Sequence, residues 1–258
     1  MDPSTLREDM VDSLEHEAKG LVRSERVAIA MRTVPRQSFV PADEGAYADR
    51  EFERLGSRVL SPSTAARLLE ALDAGEGDSV LVVGAGVGYT AAVLAEVAGP
   101  ANVQAVDIDR RLVVEARRNL ADAGYGAVLV DRRDGADGLP EYAPYDRVLL
   151  EAAAVRPPGA LLDQLAPDGR LVMPLGASDQ SLVALSPDGD PIAEFGPVGF
   201  EPMLVAGEEP TTVERNRTRR EERERAERAA ERRRGWEQDW IDWEEAGWDR
   251  RGPGSRGR

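Results

Sequence analysis

The stretch that decides the fold is Val80-Leu81-Val82-Val83-Gly84-Ala85-Gly86-Val87-Gly88-Tyr89. Its four leading apolar residues predict a buried strand, its glycines predict a tight turn, and the apolar residues after Tyr89 predict a helix. Glycines let the backbone come close to a ligand, and a helix start offers free N–H groups. We therefore predict a cofactor site here, with Gly84, Ala85, Gly86, Gly88 and Tyr89 as binding residues.

Acidic residues follow the next two predicted strands. Asp107 ends the run from Val103, 23 residues after Gly84, where a carboxylate can accept the ribose hydroxyls of an adenosine cofactor. Ile108 beside it is a further candidate contact. Asp134, with Gly135, follows the strand predicted over 127–131 and is the candidate for the adenine amino group. Asp131 and Asp137 compete for that role, and the alternative is that all three are solvated loop acids.

The spacing of the glycines discriminates between cofactor classes. Dinucleotide sites usually carry G-x-G-x-x-G, with the pyrophosphate on the helix start, whereas this loop is G-x-G-x-G. Dehydrogenases also commonly use a Tyr-x-x-x-Lys pair or a zinc site, but Lys19 is the only lysine and the chain has no cysteine. S-adenosylmethionine carries no phosphate and is the predicted cofactor. A dinucleotide and a purely structural loop are the alternatives.

Composition excludes several other chemistries. The chain has 258 residues, a net charge of −15 and no cysteine, so disulfides, thiol nucleophiles and cysteine zinc sites are excluded. His16 is the single histidine, which excludes histidine-cluster metal sites, and we expect it on a helix surface. No metal site is predicted. The acidic excess resembles that of proteins from salt-loving organisms and argues against nucleic-acid binding.

No apolar run approaches the roughly 20 residues that a membrane span needs. The acidic start Met1-Asp2-Pro3 also lacks the basic region of a signal peptide. We therefore expect a cytoplasmic protein without a membrane partner.

Charge and tryptophan divide the chain near Gly207. Residues 207–258 contain 14 acidic residues and 14 arginines, and all four tryptophans, at 236, 240, 243 and 248. We predict an N-terminal helical, substrate-side segment over 1–62, a cofactor-binding core over 63–206, and a helical or partly disordered tail over 207–258. The tail's tryptophan stripe is expected to dock on its own body or a twin subunit, and the alternative is a separate protein or nucleic-acid partner.

The body alternates short β-rich runs with amphipathic helices, which is typical of a parallel sheet covered on both faces. We predict a Rossmann-like fold, mostly parallel, with helices on both faces and a C-terminal helical tail. Helices are predicted around 6–14, 27–31, 65–72 (capped by Ser63 or Thr64), 89–97, 110–123 and 158–165. Strands are predicted over 79–83, 103–107, 127–131, 146–150 and 170–174, with antiparallel edge strands over 181–185 and 202–205.

A series of blocks in order resembles the protein-L-isoaspartate O-methyltransferase family over roughly Leu6 to Ala206. The Val-Pro-Arg block ahead of the glycine loop is characteristic of that family among methyltransferases. The blocks are Val34-Pro35-Arg36-Gln37-Ser38-Phe39-Val40-Pro41, Ala46-Tyr47-Ala48-Asp49, Val80 to Ala92, Asp134-Gly135-Ala136-Asp137-Gly138, Ala143-Pro144-Tyr145-Asp146, and Gly169-Arg170-Leu171-Val172-Met173-Pro174-Leu175-Gly176.

The resemblance implies a function in protein repair. The family transfers a methyl group from S-adenosylmethionine to the free carboxylate of an isoaspartyl residue in a damaged protein, and the ester then collapses to a succinimide. Such a carboxylate is already ionised at neutral pH, so no general base is required and positioning dominates. The family's substrate serine aligns with Ser61, whose alternative role is to cap the following helix.

The chain departs from the family pattern at several positions. Arg58 and Val59 replace the usual glutamine and threonine, and proline follows Ser61 one position early. We predict that Arg58 supplies a positive charge for the substrate carboxylate. Val82 stands where the family has an acid, which should weaken the hold on the cofactor's amino group.

Glu151-Ala152 replaces a Thr-Ala pair, and we expect Glu151 to repel an anionic substrate. Two alternatives stay open on these grounds. One is a divergent methyltransferase of RNA or a small molecule, and the other is a non-catalytic cofactor-binding relative with a partner-binding tail.

Overall fold

The computed structural model describes residues 2–41 and 45–204. The predicted tail and its boundary at 207 lie outside these residues, so the predicted division of the chain stays a prediction. The helices are α1 (Pro3–Glu15), α2 (Glu25–Thr33), α3 (Pro62–Leu72), α4 (Tyr89–Ala98), α5 (Arg110–Asp122) and α6 (Gly159–Asp163). The strands are β1 (Phe52–Arg54), β2 (Ser57–Val59), β3 (Val80–Val83), β4 (Val103–Asp107), β5 (Leu129–Arg132), β6 (Tyr145–Leu150), β7 (Leu165–Leu175), β8 (Gln180–Leu185) and β9 (Pro191–Val198).

Seven strands form the central sheet in the order β5-β4-β3-β6-β7-β8-β9. The first five in this order run parallel, and β8 and β9 add antiparallel edge pairs. Strand β3 lies between β4 and β6, with Val83 opposite Val106 on one side and Leu150 on the other. The strand order reverses direction at β3, so its carboxyl end, where the glycine loop begins, is the expected crevice for a ligand.

Alternate residues of the strands contribute to two separate apolar clusters, one on each face of the sheet. Val82 and Leu149 belong to the larger cluster, which the helices α1 to α5 cover. Val83 and Leu150 belong to the smaller cluster, which Leu161 of α6, Leu139 and Tyr145 cover. The predicted Rossmann-like fold with a mostly parallel, two-sided sheet is confirmed, although among the described residues the second face carries only the short α6 and several turns.

The helix α3 begins three residues earlier than predicted. Ser61 is its N-cap and Pro62 its first residue, so the predicted caps Ser63 and Thr64 are wrong. Proline is well placed in a first turn because its missing N–H has no helical partner there. Because α3 begins at Pro62, Ser61 lies directly before the helix, at its N-cap.

Two sheet elements differ from the sequence prediction. The outer edge strand is Pro191–Val198. Of the strand predicted over 202–205, residues 202–204 are described and form no strand, although Pro202 makes an isolated bridge with Ala153. The hairpin β1–β2 was not predicted. Its two turn residues, Leu55 and Gly56, both have positive φ, at 54° and 81°, which matches the twist of a tight hairpin.

The boundary between α6 and β7 also differs from the prediction. Helix α6 ends at Asp163, and β7 begins at Leu165 instead of Arg170. None of the helices in the described part of the chain is long and apolar enough to cross a membrane.

Candidate functional site

The glycine loop is fixed to the neighbouring strand by its backbone. The N–H groups of Gly84 and Ala85 both donate to the carbonyl of Val106, at 2.9 and 3.0 Å. Gly84, Gly86 and Gly88 have φ values of 89°, 52° and 92°, in the left-handed region that favours glycine. A Cβ on Gly88 would lie 3.2 Å from Leu120 Cγ of α5, so glycine there also permits close packing of the helices.

Asp107 ties the loop to the end of β4. Its two carboxylate oxygens accept from the N–H of Gly86 and the N–H of Asp109, each at 2.9 Å. Burial raises the pKa of Asp107, while these backbone donors oppose the shift. Each oxygen keeps a further lone pair that can accept a ribose hydroxyl. Ile108, the adjacent candidate, is partly buried and accepts at its carbonyl from Arg132 Nε at 3.2 Å.

The turn at Asp134 and Gly135 presses against the end of β3. Asp134 accepts from the N–H of Ala136 at 2.9 Å. A Cβ on Gly135 would overlap Cγ1 of Val83 and lie 3.1 Å from Cε of Met203. Of the competing acids, Asp131 lies 3.6 Å from Arg117 and Asp137 is exposed. The geometry favours Asp134 as the candidate for the adenine amino group, which stays a prediction.

Tyr89 packs behind the loop. Its side chain is 3 % exposed, with the guanidinium of Arg36 4.7 Å from the ring centroid and the ring of Phe39 at 5.7 Å, edge-on. A cofactor contact at this residue would therefore involve its backbone.

Arg36 is a residue whose importance the sequence analysis missed. It is fully buried, and it donates from Nε to the carbonyl of Ala46 at 2.9 Å and from Nη2 to the carbonyl of Leu60 at 2.5 Å. Burial lowers the pKa of Arg36. The residue joins the Val-Pro-Arg block, the segment before Ser61 and Tyr89 of α4. The available signal was an arginine directly after Pro35, inside the Val-Pro-Arg block that marks the resemblance.

Ser61 caps α3 through its hydroxyl oxygen. Its Oγ accepts from the N–H of Thr64 at 3.2 Å and lies 3.0 Å from Thr64 Oγ1. The bond from the Thr64 N–H uses only a lone pair of the Ser61 oxygen, and either hydroxyl can donate in the contact with Thr64 Oγ1. When Thr64 donates in that contact, the Ser61 hydrogen is available for the predicted substrate contact. Ser63 instead bonds to Asp49 through both its N–H and its hydroxyl.

Arg58 lies on β2 and is held by three partners. Its Nη1 is 3.2 Å from Glu51 Oε2, its Nη2 donates to the carbonyl of Gly199 at 2.9 Å, and its Nε is 3.9 Å from Glu201. These contacts fix the guanidinium between the hairpin and the segment after β9. Its predicted contact with a substrate carboxylate stays a prediction.

Glu151 follows β6 directly beside the glycine loop. Its N–H donates to the carbonyl of Val83 at 2.8 Å, and its Cβ lies 3.5 Å from where a Cβ on Gly84 would be. Its Oε1 is buried and has no hydrogen-bond partner among residues 2–41 and 45–204. Burial, with a smaller contribution from Asp107, raises the pKa of Glu151 to about 8, and the Thr90 hydroxyl opposes the shift.

The carboxyl edge of the sheet is therefore acidic. Asp107, Asp134 and Glu151 follow three of its strands, and residues 84–89 contain no basic side chain. Carboxyl groups at this edge suit the hydroxyls and cationic groups of a sulfonium nucleoside. The described residues contain no group of three His, Asp or Glu side chains placed to hold a metal ion.

The sequence model of the family described as protein-L-isoaspartate(D-aspartate) O-methyltransferase matches residues 5–197. The chain belongs to this family. A protein-L-isoaspartate O-methyltransferase of Aeropyrum pernix is 44 % identical over 188 residues, which are 70 % of this chain and 72 % of that protein. Its counterpart in Aromatoleum aromaticum is 42 % identical over 213 residues, 80 % of this chain and 94 % of that protein.

Solved structures of isoaspartate methyltransferases share the fold. One protein-L-isoaspartate O-methyltransferase aligns with a TM-score of 0.68 and 26 % identity, over 76 % of this chain and 65 % of its own. A Plasmodium falciparum structure described as a β-aspartate methyltransferase, in complex with S-adenosyl-L-homocysteine, aligns with a TM-score of 0.67 over 77 % of this chain and 98 % of its own. At 19 % identity, the second likeness supports the fold alone.

The isoaspartate methyltransferase match covers both sides of the site. Residues 5–197 include Arg36, Ser61, the glycine loop and Glu151, whereas the predicted tail lies beyond the match. The positions at which this chain departs from the family pattern, Arg58, Val82 and Glu151, all fall within it.

Proposed function

We propose that this protein is an S-adenosylmethionine-dependent methyltransferase that methylates the free carboxylate of L-isoaspartyl residues in damaged proteins, for protein repair. The observation that carries the proposal is the family match over residues 5–197, because it includes the cofactor loop and the serine segment together. The expected partners are isoaspartyl-containing proteins and peptides.

The cofactor supplies, when bound, an electrophilic methyl group on a sulfonium sulfur. The acidic edge fits such a ligand because a carboxyl group with a buried, unpartnered oxygen at Glu151 gains a partner from a cation. Asp107 would hold the ribose hydroxyls, and Asp134 with Gly135 would contact the adenine. Gly84, Ala85, Gly86, Gly88 and the backbone of Tyr89 would line the middle of the ligand, beside Ile108.

On the substrate side, this chain orients a nucleophile that is already ionised. Ser61 donates its hydroxyl hydrogen to one oxygen of the isoaspartyl carboxylate, so that the other oxygen can face the methyl group in line. Arg58 would contact the carboxylate at the rim in addition to its bonds to Glu51 and the carbonyl of Gly199. A neutral donor suits this task because it orients the carboxylate without lowering its nucleophilicity as much as a buried cation would.

The test is methyl transfer from labelled S-adenosylmethionine to an isoaspartyl peptide and to its aspartyl twin. Selective transfer to the isoaspartyl peptide is the expected result. Transfer to neither peptide, with the cofactor bound, would overturn the proposed substrate.

Substitution at Ser61 separates substrate binding from helix capping. Glycine in place of serine at an N-cap costs only about a few tenths of a kcal/mol, whereas alanine costs about 1 kcal/mol. If Ser61 binds substrate, Ser61→Gly and Ser61→Ala should lower kcat/KM alike, by about 10-fold or more, and Ser61→Thr should retain most activity. If Ser61 only caps α3, Ser61→Gly should stay close to the unmodified protein.

A further inference from the structure

Glu151 has an unusual combination of position and environment. Its backbone extends the ladder between β6 and β3 by one hydrogen bond, so its side chain follows the alternation of these strands. Val82 and Leu149 face the helices α1 to α5, and Val83 with Leu150 face the other layer. Glu151 therefore projects to the same face of the sheet as Val82. It lies on the neighbouring strand and closer to the carboxyl edge of the sheet.

The carboxyl group has no cation within the described part of the chain to balance it. The groups that act on it are the carboxyl of Asp107, on β4, and the hydroxyl of Thr90, on α4. Oε1 is buried without a hydrogen-bond partner, which costs free energy in either protonation state. Such a group is expected where a ligand completes the site.

The order of the strands indicates which part of the ligand reaches Glu151. The acidic and glycine groups follow β5 (Asp134), β4 (Asp107), β3 (Gly84) and β6 (Glu151), which are neighbours in this order. Three strand spacings of about 4.8 Å give a span of about 14 Å along the edge. A ligand with its adenine at Asp134 and its ribose at Asp107 thus directs its amino-acid arm past Gly84 toward Glu151.

We propose that the carboxylate of Glu151 binds the α-ammonium group of the cofactor's amino-acid arm, in place of the acid that this chain lacks at Val82. The inference rests on the proposed use of S-adenosylmethionine. It replaces our expectation that Glu151 acts mainly by repelling the substrate, because the paired carboxylate would carry little net charge. The empty protein keeps the group largely protonated at neutral pH, and ligand binding releases that proton.

The experiment is calorimetric binding of two unreactive ligands. S-adenosylhomocysteine carries the amino-acid arm, and 5′-methylthioadenosine lacks it. Glu151→Gln should lower the affinity for S-adenosylhomocysteine by about 10- to 100-fold, as for the loss of a hydrogen bond between charged groups. The affinity for 5′-methylthioadenosine should stay nearly unchanged. Glutamine has the same shape and matches the neutral form in the empty protein, so folding should be retained. Glu194→Gln, an exposed acid on β9, is the matched control.

Proton release gives a second readout. At pH 7, binding of S-adenosylhomocysteine measured in buffers of different ionisation enthalpy should release about one proton from the unmodified protein and close to none from Glu151→Gln. The sign follows from the pKa of Glu151, which is raised to about 8 in the empty protein and is lowered by an adjacent cation.

Three outcomes would overturn the inference. An equal loss of affinity for both ligands, in a variant that is folded like the Glu194→Gln control, would show that Glu151 does not act through the amino-acid arm. Unchanged affinity for both would exclude the contact. Unchanged S-adenosylhomocysteine affinity with a lower KM for isoaspartyl peptide would place Glu151 on the substrate side. If the unmodified protein bound neither ligand, the proposed function itself would fail, which is a distinguishable result.

Discussion

At the scale of single residues, buried polar groups organise this site. Arg36 is fully buried, yet among the described residues its guanidinium contacts two carbonyls and an aromatic ring and has no close ion pair. A rigid fork of donors can reach Ala46 and Leu60 at once, which the single ammonium of lysine cannot reproduce. The residue therefore positions Ser61, the neighbour of Leu60, relative to Tyr89 in the cofactor half of the site.

Replacing this guanidinium should be costly. Arg36→Met leaves two carbonyls without their donors, and each buried orphan costs about 1 to 3 kcal/mol, so we expect a loss of about 3 kcal/mol in the free energy of unfolding. Denaturant unfolding measures it. Arg23→Met, at an exposed position before α2, is the control and should change stability by less than about 0.5 kcal/mol. Equal stability of the two variants would contradict the structural role of Arg36.

Some site residues could be predicted from the sequence because their roles depend on local geometry. The glycine loop and the position of Asp107 at the end of β4 follow from a strand, a turn and a helix in order, and Asp107 bonds to the loop's backbone there. Their contacts with the cofactor stay predictions. Arg36 and Glu151 depend instead on which distant segments enclose them. Their burial, and the missing partner of Glu151 Oε1, arise only from tertiary packing.

At the scale of elements, turns press the ligand-binding groups onto the sheet. Gly135 lies so close to Val83 that no Cβ fits between them. This contact holds the Asp134 turn at the end of β3. Gly138, with φ at 63°, closes the same turn beside Gln164, whose side chain bonds to Leu139 and Asp137.

A methyl group at position 135 should displace that turn. Gly135→Ala overlaps Val83 Cγ1 and, as an overpacking change, should cost about 1 to 3 kcal/mol of stability. It should also weaken the binding of S-adenosylhomocysteine, since Asp134 moves with the backbone. Val83→Ala removes the clashing methyl. In that background, Gly135→Ala should therefore lower the affinity for S-adenosylhomocysteine by less than it does in the unmodified protein. An equal loss in both backgrounds would show that the overlap is not the cause.

The elements that the sequence analysis missed share a physical reason. Strands β1 and β2 have three residues each, too few for a period-two pattern, and their turn uses Leu55 in a conformation that favours glycine or asparagine. Strand β9 contains Pro191, Gly196 and Pro197, which normally argue against a strand but are tolerated at a sheet edge. The central strands were predictable because burial on both faces makes them continuous apolar runs.

At the scale of the whole molecule, charge is unevenly distributed. Residues 1–206 contain 34 acidic and 19 basic residues, a difference of −15, whereas residues 207–258 balance 14 against 14. The matched family region ends at residue 197, before this neutral segment begins. Both observations favour a catalytic body that does not require the tail.

Truncation after residue 206 should therefore preserve catalysis. We expect kcat/KM on an isoaspartyl peptide to stay within about threefold of the full chain, because no group assigned to the site lies beyond that point. A full-length chain with Trp236, Trp240 and Trp243 changed to alanine is the companion variant. Its oligomeric state, compared by light scattering, tests whether the tryptophan stripe mediates association. A loss of activity well beyond threefold on truncation would assign the tail a part in the reaction.

The buried guanidinium at position 36 also affects how the protein opens locally. Thermal fluctuations open a protein in cooperative units, and segments joined through one fully enclosed group open together. Arg36 joins in this way the segments that contain Ala46, Leu60 and Tyr89. The first and last of these residues are 43 positions apart in the chain (89 minus 46). The serine side and the cofactor side of the site are consequently expected to open at the same rate. A change that destabilises one side should also increase the opening of the other.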